Sequence, residues 1–120
     1  MHNCFKDLFE RFDAIVFFDT ETSGLSAKND QIIEIAAVCI EKDGSTYTMD
    51  EFIRLPQGQS LPPEIVDLTH ITDEMLKNEG ISQADASQKF FEFIEGQKRH
   101  KVLLAAHNAQ FDLHMIFDLL

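Results

Sequence analysis

The run Ala14-Ile15-Val16-Phe17-Phe18 restricts the fold more than any other feature of the chain. Five apolar residues, four of them β-branched or aromatic, stand between Asp13 and Asp19. A continuous apolar run of this length reads as a strand buried on both faces, inside a sheet covered by helices. It cannot cross a bilayer. The longest uninterrupted apolar run in the chain, Ile35 to Ile40, has six residues, against the ~20 that a membrane span needs.

The neighbouring segments build the rest of the sheet. Phe5, Leu8, Phe9 and Phe12 recur at helical spacing, so residues 3–12 predict a short amphipathic helix. From Asp19 to Gly24 polarity rises and a glycine follows, which predicts a loop. Ile32 to Glu41 reads as a second strand and Tyr47 to Leu55 as a third, less apolar strand nearer an edge. Lys42-Asp43-Gly44-Ser45 between them is a hairpin turn, because Asp-Gly tolerates positive φ. Pro63 can open a short helix, Thr72 can cap a second one running through Asn78, and Ser82 with Asp85 resembles a capping arrangement. Behind Ser82, Ala86, Phe90, Phe93 and Ile94 form the apolar face of a helix ending near Gly96. Val102 to Ala106 predicts a fourth strand, and Asn108 caps a last helix with Leu113, Ile116, Phe117 and Leu120 on its apolar face. A helical crossover of this length returns a strand parallel to one already in the sheet. The expected architecture is α/β: three antiparallel strands, a parallel fourth, and helices on the faces.

Composition narrows the function classes. Ten Lys and Arg against 21 Asp and Glu leave a net charge of −11. A passive phosphate-binding surface is basic, so it fits poorly here. Lys98-Arg99-His100-Lys101 is the one basic cluster, and it reads as a solvated loop. Cys4 and Cys39 make neither a disulfide framework nor a zinc site. The first residues, Met1 to Asp7, carry an acid and no secretory apolar stretch. A reduced, cytoplasmic protein with no membrane partner is expected.

Two segments carry chemistry. In Phe17-Phe18-Asp19-Thr20-Glu21-Thr22-Ser23-Gly24, Asp19 and Glu21 stand two apart at a strand end, so they point to one face about 6–7 Å apart along the backbone. Such a pair repels itself unless a cation lies between, and hard divalent cations take carboxylate and water oxygens. In Ala105-Ala106-His107-Asn108-Ala109-Gln110-Phe111-Asp112, a strand turns into a helix, and Asp112 lies about one turn in, where free N–H groups favour negative charge. If the fourth strand runs parallel beside the first, their carboxyl ends share an edge and Asp112 faces Asp19 and Glu21.

These residues resemble a known family. Phe18-Asp19-Thr20-Glu21-Thr22-Ser23-Gly24 is similar to the first exonuclease motif of the DEDD (DnaQ-like) 3′–5′ exonucleases, which have a ribonuclease H-like fold. Asp30 to Val38 is similar to the family's second strand, and Leu61-Pro62-Pro63 through Leu68 to Leu76 to its crossover. Ala106-His107-Asn108-Ala109-Gln110-Phe111-Asp112 resembles the second motif. The resemblance spans residues 13–120 in the right order, with residues 1–12 as a preceding helix, and is nearest to the epsilon-type proofreading exonuclease of bacterial DNA polymerase III.

The resemblance implies a metal-dependent 3′–5′ exonuclease acting on single-stranded DNA ends, in proofreading, with a DNA polymerase subunit as partner. It implies two divalent ions, Mg²⁺ or Mn²⁺, with Asp19 bridging both, Glu21 holding the first and Asp112 the second. Thr20, Thr22, Gly24, Leu25, Asn108 and Phe111 would lie at the 3′-terminal nucleotide. Two Mg²⁺ would bring −11 to −7, and the ions would then set the field at the phosphate. The family's third motif, with a fourth Asp and in one branch a His base, is not among the 120 residues. The domain is therefore expected to lack its C-terminal part and to have weak activity. Its fourth strand is expected to be an exposed edge that leaves the chain unstable alone or dimerising through that edge. The alternatives are an RNA 3′–5′ exonuclease of the same superfamily and a non-catalytic, partner-binding remnant.

Overall fold

The computed structural model describes residues 4–24, 30–96 and 101–106. The elements run α1 (Cys4–Arg11), β1 (Ala14–Thr22), β2 (Ile32–Glu41), β3 (Thr46–Phe52), α2 (Pro63–Thr69), α3 (Asp73–Glu79), α4 (Gln83–Glu95) and β4 (Val102–Ala106). One sheet holds the four strands in the order β3-β2-β1-β4. β1 and β2 are antiparallel, as are β2 and β3, while β4 lies parallel to β1 with Phe18 opposite Ala106. This is the expected mixed sheet, with β3 and β4 as its edges among the described residues. The last predicted helix, from Asn108 onward, lies outside the described residues.

Two strand boundaries differ from the sequence reading. The loop expected from Asp19 begins only after Thr22, because β1 stays paired with β2 as far as Thr22 opposite Ile32. Polarity suggested a loop, but Thr20 and Thr22 are β-branched and a full ladder partner is present, so pairing overrides local composition. β3 starts at Thr46 and stops at Phe52 rather than Leu55. Beyond it Ile53 makes a single parallel bridge to Ile81. The Ala14–Phe18 run is also less buried than predicted. Phe17 is 38% exposed, while its neighbours Val16 and Phe18 are at 0% and 4%. No described element covers the sheet at the level of Phe17.

The local signals hold elsewhere. Gly44 closes the β2–β3 turn at φ 92°, and its N–H donates to the Glu41 carbonyl at 2.9 Å. The Asp43 carboxylate accepts from the Ser45 N–H at 2.8 Å, and that bond, with one from the Ser45 hydroxyl, holds its carboxyl below the usual range. Thr72 and Ser82 cap α3 and α4, accepting from the N–H groups of Met75 and Asp85 at 3.1 Å each.

Two apolar clusters anchor the sheet. In the larger, Ala86 and Phe90 of α4 are buried against Val16, Phe18, Ile35, Ala37 and Cys39. The Phe18 and Phe90 rings meet edge to face, with centroids 5.6 Å apart, an arrangement worth about 0.5–1.5 kcal/mol beyond area burial. In the smaller, Ile33 packs with Leu61, Ile65, Ile71 and Leu76 of the α2–α3 region. The ladder explains how two adjacent residues, Ile32 and Ile33, both bury. Glu21 pairs with Glu34 but Thr22 with Ile32, so β2 carries one extra residue there, a bulge that sends one isoleucine to each cluster.

One backbone position is out of keeping with its residue. His70 ends α2 in the left-handed region, at φ 62° and ψ 15°, with its N–H donating to the Val66 carbonyl. A Cβ is disfavoured in that conformation, and glycine is the usual residue at such a helix end. His70→Gly is expected to raise the unfolding free energy by about 0.5–1 kcal/mol, after allowing for the freedom glycine adds to the unfolded chain. Urea denaturation of the two proteins checks this, and an unchanged midpoint would count against it.

Candidate active site

β1 alternates in burial around its polar end. Phe18 is buried, Asp19 exposed, Glu21 half-buried and Thr22 buried. Phe17, Asp19 and Glu21 therefore share the face that α4 does not cover. Register extends this face across the sheet: Asp19 is level with Ala36 and Asp50, and Glu21 with Glu34 and Phe52. Four carboxylates thus share one side of three strands. Asp19 Oδ1 accepts from the Thr20 N–H at 3.0 Å, which fixes one of its oxygens. Beside the acids runs an open trough of about 840 Å³, lined by Phe17, Ala36, Val38, Thr48 and Ala105 together with Asp19 and Asp50.

Crowding on this face changes the state of Glu34. Its carboxyl is pushed up to about 8, first by burial, then by the hydrogen bond to Asp50, and then by the negative charges of Asp50, Glu21 and Asp19. A hydrogen bond between two carboxyls needs one proton, and the raised value assigns that proton to Glu34. At neutral pH Glu34 is therefore a donor to Asp50.

The residues expected at the nucleotide end lie further along β1. Thr20 pairs with Ile35, and Thr22 with Ile32. The Thr22 hydroxyl donates to the Gly24 carbonyl. Leu25, Asn108, Phe111 and Asp112 lie outside the described residues. β4 is parallel to β1, with Ala106 opposite Phe18. The five histidines offer no base at this face among the described residues: only His70 is described, and it ends α2.

Two acids of this face, Glu34 and Asp50, lie outside both exonuclease motifs. Their signal was arithmetical. The three residues Lys42 to Gly44 form the β2–β3 loop, with the Glu41 N–H donating to the Ser45 carbonyl across it, and counting back from that pair puts Asp50 level with Ala36 and so with Asp19.

Asp19 and Glu21 are hard oxygen donors on an accessible face, which suits Mg²⁺ or Mn²⁺. Among the described residues no group of three or more His, Cys, Asp or Glu converges as a ligand set. The described face therefore supplies two donors, and a complete site needs at least one more.

Comparison with known proteins adds to this geometry. The model of the exonuclease family RNase_T matches residues 16–117. The DNA polymerase III subunit epsilon of Treponema pallidum is 38% identical over 103 residues, which are 86% of this chain and 44% of that protein. A PolC-type DNA polymerase III of Pediococcus pentosaceus is 38% identical over 98 residues, 82% of this chain and 6% of that protein. The chain thus spans less than half the length of these curated relatives. Among solved structures, Escherichia coli exonuclease I in complex with a dT13 oligonucleotide superimposes with a TM-score of 0.76 at 17% identity, over 89% of this chain and 23% of that one. That likeness is one of fold, and it bears out the ribonuclease H-like sheet. No helix among the described residues is long and apolar enough to cross a membrane.

The Glu34 proton makes stability depend on pH. A carboxyl with a folded value near 8 against an ordinary 4.5 binds its proton more tightly in the folded state. Its contribution is then complete below about 4.5 and is lost as pH rises toward 8. Glu34→Gln keeps a neutral donor to Asp50 at every pH. In EDTA its melting temperature should match wild type near pH 5 and exceed it increasingly toward pH 8. A difference that does not vary with pH would remove Glu34 as the titrating group.

Proposed function

The chain belongs to the exonuclease family, and from that premise we propose that it forms the metal-binding core of a 3′–5′ exonuclease that shortens single-stranded DNA ends in replication proofreading. The observation carrying this reading is the shared face of Asp19 and Glu21, on a strand whose carboxyl end lies beside that of parallel β4. The relatives named as DNA polymerase III proteins support the substrate class and a polymerase subunit as partner. Residues 13–120 act as one exonuclease domain with α1 before it, in the cytoplasm where replication takes place.

Asp19 and Glu21, with Asp112, would hold two divalent ions. When bound, such ions supply an activated water and a counter-charge for the leaving 3′ oxygen. The chain's own residues arrange the rest. The Thr20 N–H orients Asp19. Glu34, kept neutral by its surroundings, spares the site a further repulsion. Thr20, Thr22 and Gly24, with Leu25, Asn108 and Phe111, receive the terminal nucleotide. No basic surface is needed, because phosphate attraction comes from the ions rather than from a chain of net charge −11.

The test uses 5′-labelled DNA and RNA oligonucleotides of one sequence with Mg²⁺ or Mn²⁺. Stepwise shortening of the DNA from its 3′ end is expected, at a low rate. Asp19→Ala should reduce it by about 100-fold or more, since even the outer partners of metal ligands cost 10–100-fold, and should leave the melting temperature unchanged. Faster RNA cleavage would favour an RNA-trimming enzyme of the same superfamily. Retained cleavage in Asp19→Ala would refute the site. No cleavage and no metal binding by wild type would leave a partner-binding remnant.

A homodimer belongs to the same proposal. Among the described residues β4 pairs on one side only, with β1, and an open strand edge recruits another chain. Sedimentation should show a dimer, and a monomer that melts cooperatively would contradict it.

A further inference from the structure

The segment that leaves β1 is fastened by side chains for which metal binding has no use. The Ser23 N–H donates to the Gln31 carbonyl at 2.9 Å. The Gln31 N–H donates back to Ser23 Oγ at 3.1 Å, and that hydroxyl donates to Asp30 Oδ1 at 3.2 Å. Gly24 has no side chain, and the Asp30 carboxylate stands where one would be. A Cβ built on Gly24 would lie 2.6 Å from Asp30 Cγ and 2.7 Å from its Oδ1. Glycine at this position is thus explained by the neighbour that occupies its space.

Gln31 extends the fastening into the body of the fold. Its Nε2 donates to the Arg54 carbonyl at 3.2 Å, and its Oε1 accepts from Gln83 Nε2 at 2.7 Å. Thr22 to Gly24 is therefore tied, through Asp30 and Gln31, to the exit of β3 and the first turn of α4.

We propose that Asp30 is a positioning residue for nucleotide binding, which holds the Thr22–Gly24 backbone in its receiving form by lying against Gly24 and accepting from Ser23. The inference rests on the reading of Thr22 and Gly24 as nucleotide contacts. A hydroxyl bond to a carboxylate is charge-assisted and stronger than a neutral one. Three residues set before the ligand arrives do not have to be ordered by it, so loss of the clasp appears as weaker binding. A negative charge this near a phosphate chain would otherwise oppose binding. A purely electrostatic role for Asp30 therefore predicts the opposite sign.

The test is fluorescence anisotropy of a 5′-fluorescein dT oligonucleotide with the full chain in Ca²⁺, alongside melting temperatures. Asp30→Ala should weaken binding about tenfold or more, and Ser23→Ala should weaken it in the same direction. Asp30→Asn keeps the oxygen that accepts from Ser23 and fills the same space, so it should bind like wild type. That rescue separates positioning from charge, and it stands even if the alanine variant folds poorly. Equal or tighter binding by Asp30→Ala, or a loss in Asp30→Asn equal to that in Asp30→Ala, would overturn the clasp. A wild-type chain that does not bind the oligonucleotide would overturn the nuclease reading of the site itself.

Discussion

The carboxylate face depends on which way Phe18 points. Its side chain is 4% exposed and meets Phe90 edge to face. Burying a phenylalanine is worth roughly 1.5–3 kcal/mol, and strand alternation then turns Asp19 and Glu21 to the opposite side. A slip of one residue would exchange the two sets. It would bring Phe18 out and drive Asp19 into the Val16–Ala37–Cys39 core, where an unpaired carboxylate costs several kcal/mol. Both errors have the same sign. The packing of α4 on one side of the sheet therefore specifies which carboxylates stand on the other, with no direct contact between them.

Collecting acids on one face has an electrostatic cost, and the face moderates it. Asp19 and Glu21 come from β1, Glu34 from β2 beside it, and Asp50 from β3 on the far side of β2. Were all four ionised, each would sit in the field of three like charges. The proton on Glu34 removes one charge and converts a repulsion with Asp50 into a hydrogen bond. A bound cation would reverse the balance, since positive charge favours ionised neighbours. The same surface carries Phe17 and Val38, 38% and 40% exposed.

Much of the fold could be read because its signals are local. The bounds of β2 and β4, the caps at Thr72 and Ser82, the Pro63 start and the Asp43-Gly44 turn each depend on a few adjacent residues. The end of β1 could not be read in this way. Asp19-Thr20-Glu21-Thr22 is polar by composition, and only its pairing with Ile32 to Ala36 makes it strand. The site divides along the same line. Asp19 and Glu21 stand out as a motif within one segment. Glu34 and Asp50 become visible only when three strands are laid in register. The Asp30–Gly24 contact depends on how the chain returns to the sheet, which no residue pattern displays.

The bulge at Ile32–Ile33 marks a division of labour. Up to Glu21 opposite Glu34 the β1–β2 ladder is regular, and the two proposed ion ligands stand on it. Past that point the register shifts, local twist increases, and the backbone leaves the ladder for the Ser23–Gln31 exchange. Ion ligands must be held closely, within about 0.5 Å of their working geometry, and a paired central strand with neighbours on both sides does that. The nucleotide proposed to bind beyond it must enter and leave, which suits a segment held by side chains such as Asp30 rather than by a continuous ladder. One inserted residue in β2 supplies both conditions. It also sends Ile33 into the α2–α3 cluster, which ties the point of departure to the second core.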